Sequence, residues 1–313
     1  MDSWQITLII LLLLLIINYA FIKMFISTSI ATEFKDNELV TREGFAGGVD
    51  VDGSDTQDND TLYDRFYCKI YDQLVQGDVR TRAEILFTLG WVKKYWPENR
   101  TIEVLDIGSG TGGHVAEFIK EKVGSAEGVD KSAAMVERAR KLHPEMTYKI
   151  ADVEVPTTYA AGQFSLVTMY YFTIYYIHHK DQILRNIFNW LKPGGAFVVH
   201  IVNREKFDPI LESASPFIAF SVQKYSKERI KKSSVSFDKF DYTAEFEIED
   251  KHAEFLETFK FKDGHVRRNR HSLLMPVMQD LVREIEEAGF TYKEFVDLTP
   301  IGYEYQYLFC FLR

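Results

Sequence analysis

The stretch VLDIGSGTGG, residues 104–113, constrains the fold more than any other part of the chain. An apolar run reaches Asp106, four of the next seven residues are glycine, and the helical pattern HVAEFIKEKV follows. Glycine at a strand-to-helix junction serves one of two purposes. It supplies a tight turn, or it lets backbone approach a ligand so closely that any Cβ would collide. One glycine would not separate the two. Here Gly108, Gly110 and Gly112 alternate and Gly113 follows, so the unpaired N–H groups of a helix N-terminus face whatever the loop encloses. A ligand cradle is the favoured reading.

The surrounding pattern supports that placement. Strands are expected at 101–107, 125–130, 147–151, FSLVTMYY and AFVVHIVN, separated by helices at about 113–123, SAAMVERARKLH and KDQILRNIFNWL. Such alternation indicates βαβ units and a parallel sheet covered by helices on both faces. Ligands bind such sheets beyond the carboxyl ends of the strands, where the strand order reverses. Two amphipathic helices are expected before the sheet, LYDRFYCKIYDQLV and RAEILFTLGWVKKYW, the first with Tyr63, Tyr67 and Tyr71 on one face. After Asn203 the period changes. SVSFDKFDYTAEFEIED, HAEFLETFKFKDG and HVRRNRHSLL alternate polar and apolar residues, the last two joined by an Asp-Gly turn. They read as antiparallel strands inserted before the last helix and placed to roof the site.

The chain of 313 residues has apolar content near half, enough for a substantial core. Its net charge of −9 argues against a general nucleic-acid binder. Nine acidic residues against Lys35 and Arg42 lie between 31 and 60, so most of that charge sits in one segment. Acidic, glycine-containing and poor in large apolar residues, residues 27–60 read as a disordered linker. Alternating aspartates in DVDGSDTQDND suggest a calcium loop, but the usual glutamate and flanking helices are missing. Ahead of the linker, ITLIILLLLLIINYAFI carries no charge and, extended past Lys23 to residue 26, reaches the length of a membrane span. Its length favours a permanent anchor over a cleaved signal peptide, and Lys23 on its C-terminal flank favours a cytoplasmic body. Cys68 and Cys310 match no metal spacing and read as reduced thiols.

Three acids narrow the ligand. Asp106 precedes the glycines, Asp130 ends the next strand, and Asp152 ends the one after. Acids along one rim suit a ligand with an amino acid, a ribose and an exocyclic amine, and no phosphate. VLDIGSGTG, GVDKSAAMVERAR, IADVEVP, FSLVTMYY and LKPGGAFVVHI resemble, in order and spacing, the consecutive motifs of class I S-adenosylmethionine-dependent methyltransferases. The resemblance covers about 63–313 and implies a doubly wound, Rossmann-like, seven-stranded and mostly parallel sheet. It also implies S-adenosylmethionine as cofactor. Asp106, Gly108, Ser109, Gly110 and Gly112 would cradle the methionine half. Asp130 would hold the ribose, Lys131 and Met135 would border the adenine, Asp152 would take its amino group with Val153 alongside, and Tyr170 would lie near the sulfonium. Where the family more often has Phe-Asp, this chain has Phe164-Ser165.

Methyl transfer from a sulfonium needs mainly proximity and orientation, plus a base where the acceptor is a hydroxyl or a protonated amine. YYFTIYYIHH offers His178 or His179 as that base, against the plainer reading of a helix packed by its aromatics. Tyr63, Tyr67 or Tyr71 could reach the cofactor, though that face is core first. Arg80 or Arg82 could meet the methionine carboxylate, solvent exposure being the default. GHVRRNRH reads first as a solvated hairpin edge and second as an anion site. The resulting organisation is an anchor at 1–26, a linker at 27–60, an α/β core at 61–203, an antiparallel cap at 204–275 and a completing helix and strands at 276–313. The expected activity is membrane-anchored methylation of a small amine, hydroxyl or carboxyl acceptor. A protein or lipid acceptor, or a catalytically silent scaffold, are the alternatives.

Overall fold

The computed structural model describes residues 55–75, 78–97, 100–207, 231–237 and 239–313. The expected anchor and residues 27–54 of the expected linker lie outside them. Among the described residues no helix is long and apolar enough to cross a membrane.

Strand β1 is Asp55–Gln57, and helices Tyr67–Val75 and Asp78–Tyr95 follow. The α/β core alternates β2 (Glu103–Ile107), helix Gly113–Lys120, β3 (Ser125–Asp130), helix Ala133–Leu142, β4 (Thr147–Ile150) and β5 (Phe164–Met169). Helices Thr173–Tyr176 and Lys180–Trp190 lead to β6 (Leu191–Val202). Then come β7 (Lys232–Ser236), β8 (Phe240–Glu249), β9 (His252–Phe261) and β10 (Val266–Leu274), before helix Met278–Glu287, β11 (Thr291–Asp297) and β12 (Gln306–Leu312).

Seven strands form one sheet in the order β11-β12-β6-β5-β2-β3-β4. The pairs from β6 to β4 are parallel, and β12 pairs antiparallel with β6 and β11. The order reverses between β2 and β5, so the crevice expected of such sheets opens above their carboxyl ends. Alternation along the strands divides the core. Leu105, Ile107, Phe197, Val199 and Ile201 face helices Lys180–Trp190 and Met278–Glu287, while Val104, Ala196 and Val198 face helices Asp78–Tyr95, Gly113–Lys120 and Ala133–Leu142. Ser165, standing at the departure from the Phe-Asp pattern, is fully buried. Its hydroxyl accepts from the Glu103 amide at 2.7 Å and so ties β5 to the start of β2.

The second sheet has the order β1-β10-β9-β8-β7. Its pairs are antiparallel except for β1 on β10. Phe246, Ala253 and Leu273 of this sheet join the core on the side of helices Lys180–Trp190 and Met278–Glu287.

Four expectations are corrected. Residues 55–60 are not linker, because Asp55–Gln57 is a strand whose side chains at 55 and 57 are buried. The segment GHVRRNRH is not a solvated edge, because β1 covers the outer side of β10 and buries Arg267, Asn269 and His271. Tyr63 precedes its helix rather than sitting in it. The Asp64 carboxylate accepts from the amides of Phe66 and Tyr67 at 3.0 and 2.9 Å, which satisfies the first turn and fixes the start. YYFTIYYIHH likewise yields only the short helix Thr173–Tyr176.

Candidate active site

The loop after β2 is sewn to β3. The amides of Gly108 and Ser109 donate to the Val129 carbonyl at 2.8 and 3.1 Å, and the Gly110 amide donates to Asp130 Oδ2 at 2.9 Å. The alternating glycines have φ of 69°, 53° and 89°, the left-handed region that side chains rarely tolerate. Their neighbours differ. A Cβ on Gly108 would fall 2.5 Å from Thr173, and one on Gly112 would fall 2.4 Å from the Tyr148 hydroxyl. At Gly110 the nearest atom would be Tyr71 Cε1 at 3.8 Å. The outer glycines therefore let neighbouring elements close onto the loop. The middle one presents bare backbone to the gap beneath Tyr71.

The rim acids differ in partners. Asp106 is buried, and one carboxylate oxygen accepts from Thr168 Oγ1 at 2.8 Å. Burial pushes its carboxyl up to about 6, against the opposing charge of His114 and the Thr168 bond. Asp130 accepts from the amides of Gly110 and Ser132 at 2.9 and 2.8 Å. Burial still raises its carboxyl above the ordinary range, and those amides together with that of Lys131 pull the other way. Each Asp130 oxygen thus keeps acceptor capacity for a further donor. Asp152 is exposed and accepts from the Glu154 amide at 2.9 Å.

Other expected residues fall less directly on the rim. Ser109 is buried, with its hydroxyl turned to Gly128 of β3 and without a hydrogen bond. Lys131 turns outward to Asp60 at 2.7 Å. Met135 is buried in its helix, whose first turn is capped by Ser132 Oγ accepting from the Met135 amide. Val153 packs partly buried against the core. Tyr170 is buried, stacked on His114 at 4.2 Å, and its hydroxyl is paired with Thr88 at 2.8 Å. Its side chain is a packing element on the face of the sheet away from the roof. His178 and His179 are both exposed, at the start of helix Lys180–Trp190. Neither expected base is enclosed by the site. Arg82 is exposed, but Arg80 is not: it pairs with buried Glu84 at 2.9 Å and lies over the Tyr303 ring. Despite burial, Arg80 and His114 hold the Glu84 carboxyl down at about 2.

The sequence reading missed a buried polar chain between the roof and the rim. His271 Nε2 lies 2.8 Å from Glu257 Oε2, and its Nδ1 lies 2.6 Å from the Tyr176 hydroxyl. Glu257 also accepts from the Tyr242 hydroxyl at 2.8 Å and from Asn269 Nδ2 at 3.1 Å. A signal existed. Arg267, Asn269 and His271 share one face of a strand by its period of two, and Asn269 stands opposite Glu257 in the register. What hid it was the reading of that strand as an edge.

Residues 104–195 match the family described as a methyltransferase domain. A phosphoethanolamine N-methyltransferase of Triticum aestivum is 29% identical over 189 residues, 57% of this chain. The match spans only 35% of that relative's own length. An S-adenosylmethionine-dependent methyltransferase of Clostridium acetobutylicum superposes with a TM-score of 0.59 at 16% identity, over 79% of this chain and 97% of its own. The S-adenosylmethionine-bound amino pentose methyltransferase CalS10 of Micromonospora echinaspora gives 0.53 at 17% identity, over 74% and 91%. Residues 104–195 are thus similar to a methyltransferase domain, and the fold is the one these S-adenosylmethionine-dependent methyltransferases have.

Proposed function

We propose that the whole protein methylates a small-molecule amine, hydroxyl or carboxyl group and is held at a membrane by residues 6–26, with the catalytic body on the cytoplasmic side. The observation that carries the catalytic part is the bare Gly110 backbone beneath Tyr71, beside an Asp130 that retains acceptor capacity. The name of the wheat relative, a small-amine methyltransferase, supports the acceptor class.

The residues present fit the cofactor. A Cβ at Gly110 would enter the gap it would occupy, Asp130 would accept from the ribose hydroxyls, and Asp106 would lie near the positive methionine end. Asp152, open at the end of β4, would receive the adenine amino group, with Val153 beside it. When bound, S-adenosylmethionine supplies an electrophilic methyl group whose bond to sulfur breaks as the bond to the acceptor forms, the electron pair staying on sulfur. The chain's own part is to orient the two partners and exclude water.

Calorimetry on the full chain in detergent tests the reading: micromolar binding of S-adenosylhomocysteine is expected, and absence of binding would leave the silent scaffold standing. Flotation of the full chain with lipid vesicles, lost when residues 1–26 are deleted, tests the anchor.

A further inference from the structure

Four tyrosines gather where the roof meets the rim. Tyr63 and Tyr71 have ring centroids 6.1 Å apart, and Tyr63 and Tyr176 are 5.9 Å apart. Tyr63, Tyr71 and Tyr176 are each partly exposed, and Tyr67, buried beside Tyr63, lies 6.1 Å from the His271 ring. Tyr71 is the side chain over Gly110, and the Tyr63 carbonyl accepts from Ser132 Oγ at 2.6 Å, so this cluster borders the Asp130 turn. The charge facing it is negative: Asp130 acts on both Tyr63 and Tyr71, Asp72 on Tyr71, and Glu257 on Tyr67 and Tyr176. The nearby arginines are engaged elsewhere. Arg267 is spent on Asp64 and Asn269, and Arg80 on Glu84. Tyrosine faces and carboxylates attract a cation and repel a carboxylate.

The hydroxyls continue inward as a directed chain. Tyr63 packs edge-on against Tyr176 at 5.9 Å, the Tyr176 hydroxyl meets His271 Nδ1 at 2.6 Å, and His271 Nε2 meets Glu257. Glu257 is fully buried yet held as a carboxylate below its ordinary range, because His271, Tyr242 and Tyr67 all favour the charged form. An ionised carboxylate only accepts. His271 Nε2 must therefore donate to it, and in the neutral imidazole Nδ1 then accepts from Tyr176.

We infer that the acceptor is an amine, bound as its ammonium among Tyr63, Tyr71 and Tyr176, and that Tyr63, Tyr176 and His271 carry its surplus proton inward to the Glu257 side of the roof. This rests on the methyltransferase reading above. The proton leaves the ammonium for the Tyr63 oxygen as the Tyr63 proton passes to Tyr176 and the Tyr176 proton to His271 Nδ1. His271 becomes an imidazolium facing the Glu257 carboxylate, and the amine is left neutral with its lone pair free. Charge is conserved, no oxidant or metal is required, and after the product ammonium leaves, the proton returns through Tyr176 and Tyr63 to water. His271 and Glu257 act through the tyrosines, Glu257 as a positioning residue that fixes the histidine tautomer.

The test uses the full chain in detergent with S-adenosylmethionine and a panel of primary amines, alcohols and carboxylates of two to six carbons. Products are read by mass spectrometry between pH 6 and 9. Methylation of amines alone is expected. His271→Asn and the milder Tyr176→Phe should lower kcat at pH 7 about a hundredfold or more, with KM for S-adenosylmethionine unchanged. That deficit should shrink as pH approaches the pKa of the amine, where no proton need be removed. A merely structural role would give a pH-independent loss, which overturns the inference, as does methylation of alcohols or carboxylates only, or of no amine at all. In the cofactor-free chain, nitrogen NMR should find the His271 proton on Nε2, and Glu257→Gln should abolish that preference. A proton on Nδ1 in the parent chain overturns the relay. Failure of S-adenosylhomocysteine to bind the parent chain would instead overturn the reading on which the relay stands.

Discussion

Asp106 at the rim of the seven-stranded sheet and Glu257 inside the five-stranded sheet are both buried, yet their surroundings push them in opposite directions. Asp106 has one side-chain donor, Thr168, and burial carries its carboxyl up to about 6; Asp130 is also raised. Glu257 is no less buried but has His271, Tyr242 and Tyr67 favouring its charge, and it is lowered. Burial alone penalises any charge. The difference lies in the partners the protein supplies, three side chains that favour the charge of Glu257 against the Thr168 hydroxyl on Asp106.

The most severe break of that contrast is Glu257→Ala. Removing it leaves His271 and Asn269 without their acceptor, and a loss of about 3–5 kcal/mol in folding stability is expected by chemical denaturation. Asp106→Asn should show the reverse pattern, with little stability lost but cofactor affinity reduced, since the folded chain already disfavours that charge. A large stability loss at Asp106 would erase the distinction.

Asp130→Ala should weaken S-adenosylhomocysteine binding by about 1–3 kcal/mol through lost charge-assisted hydrogen bonds; unchanged calorimetric affinity would remove the ribose assignment. Gly110→Ala should cost about 1 kcal/mol of stability, because a side chain is forced into the left-handed region, and should reduce cofactor affinity as well. Affinity retained in that variant would mean the gap under Tyr71 is not the cradle.

The pH dependence sharpens the comparison. The folded value of about 6 for Asp106 lies above its unfolded value of about 3.8. Its contribution therefore lowers stability as pH rises across that window, the penalty being complete above 6. A bound cation favours the ionised form, so cofactor affinity should fall as pH drops through 6, by up to about tenfold per unit. Glu84 behaves oppositely. Held at about 2, it stabilises the fold above its unfolded value near 4.5 and loses that contribution as pH falls from there towards 2. The smallest effect is expected at Lys131→Ala, whose pair with Asp60 is exposed on both sides; less than about 1 kcal/mol should be lost.

Much of the core was legible. The periods of the apolar residues placed the strands and helices of the seven-stranded sheet, and the glycines with the acids at strand ends marked its rim. Less legible was what each glycine does. All three alternate in VLDIGSGTG, but only the distances to Thr173, Tyr148 and Tyr71 separate the two whose Cβ would collide with a neighbour from the one whose Cβ would not. The histidines were less legible for a related reason. His178 and His179 follow the right strand and end exposed, whereas His271 lies 95 residues beyond its partner Tyr176.

The sequence by itself determined the α/β core, the cofactor loop and the carboxylates beside it, because these depend on periodicity and on short-range geometry within a few residues of one strand end. Only the tertiary structure decided that β1 covers β10, that Arg267, Asn269 and His271 are interior, and that His271 meets Tyr176. Those facts depend on which strands become neighbours across long stretches of chain. Polar residues with strand periodicity look alike at an edge and in an interior until the covering strand is in place.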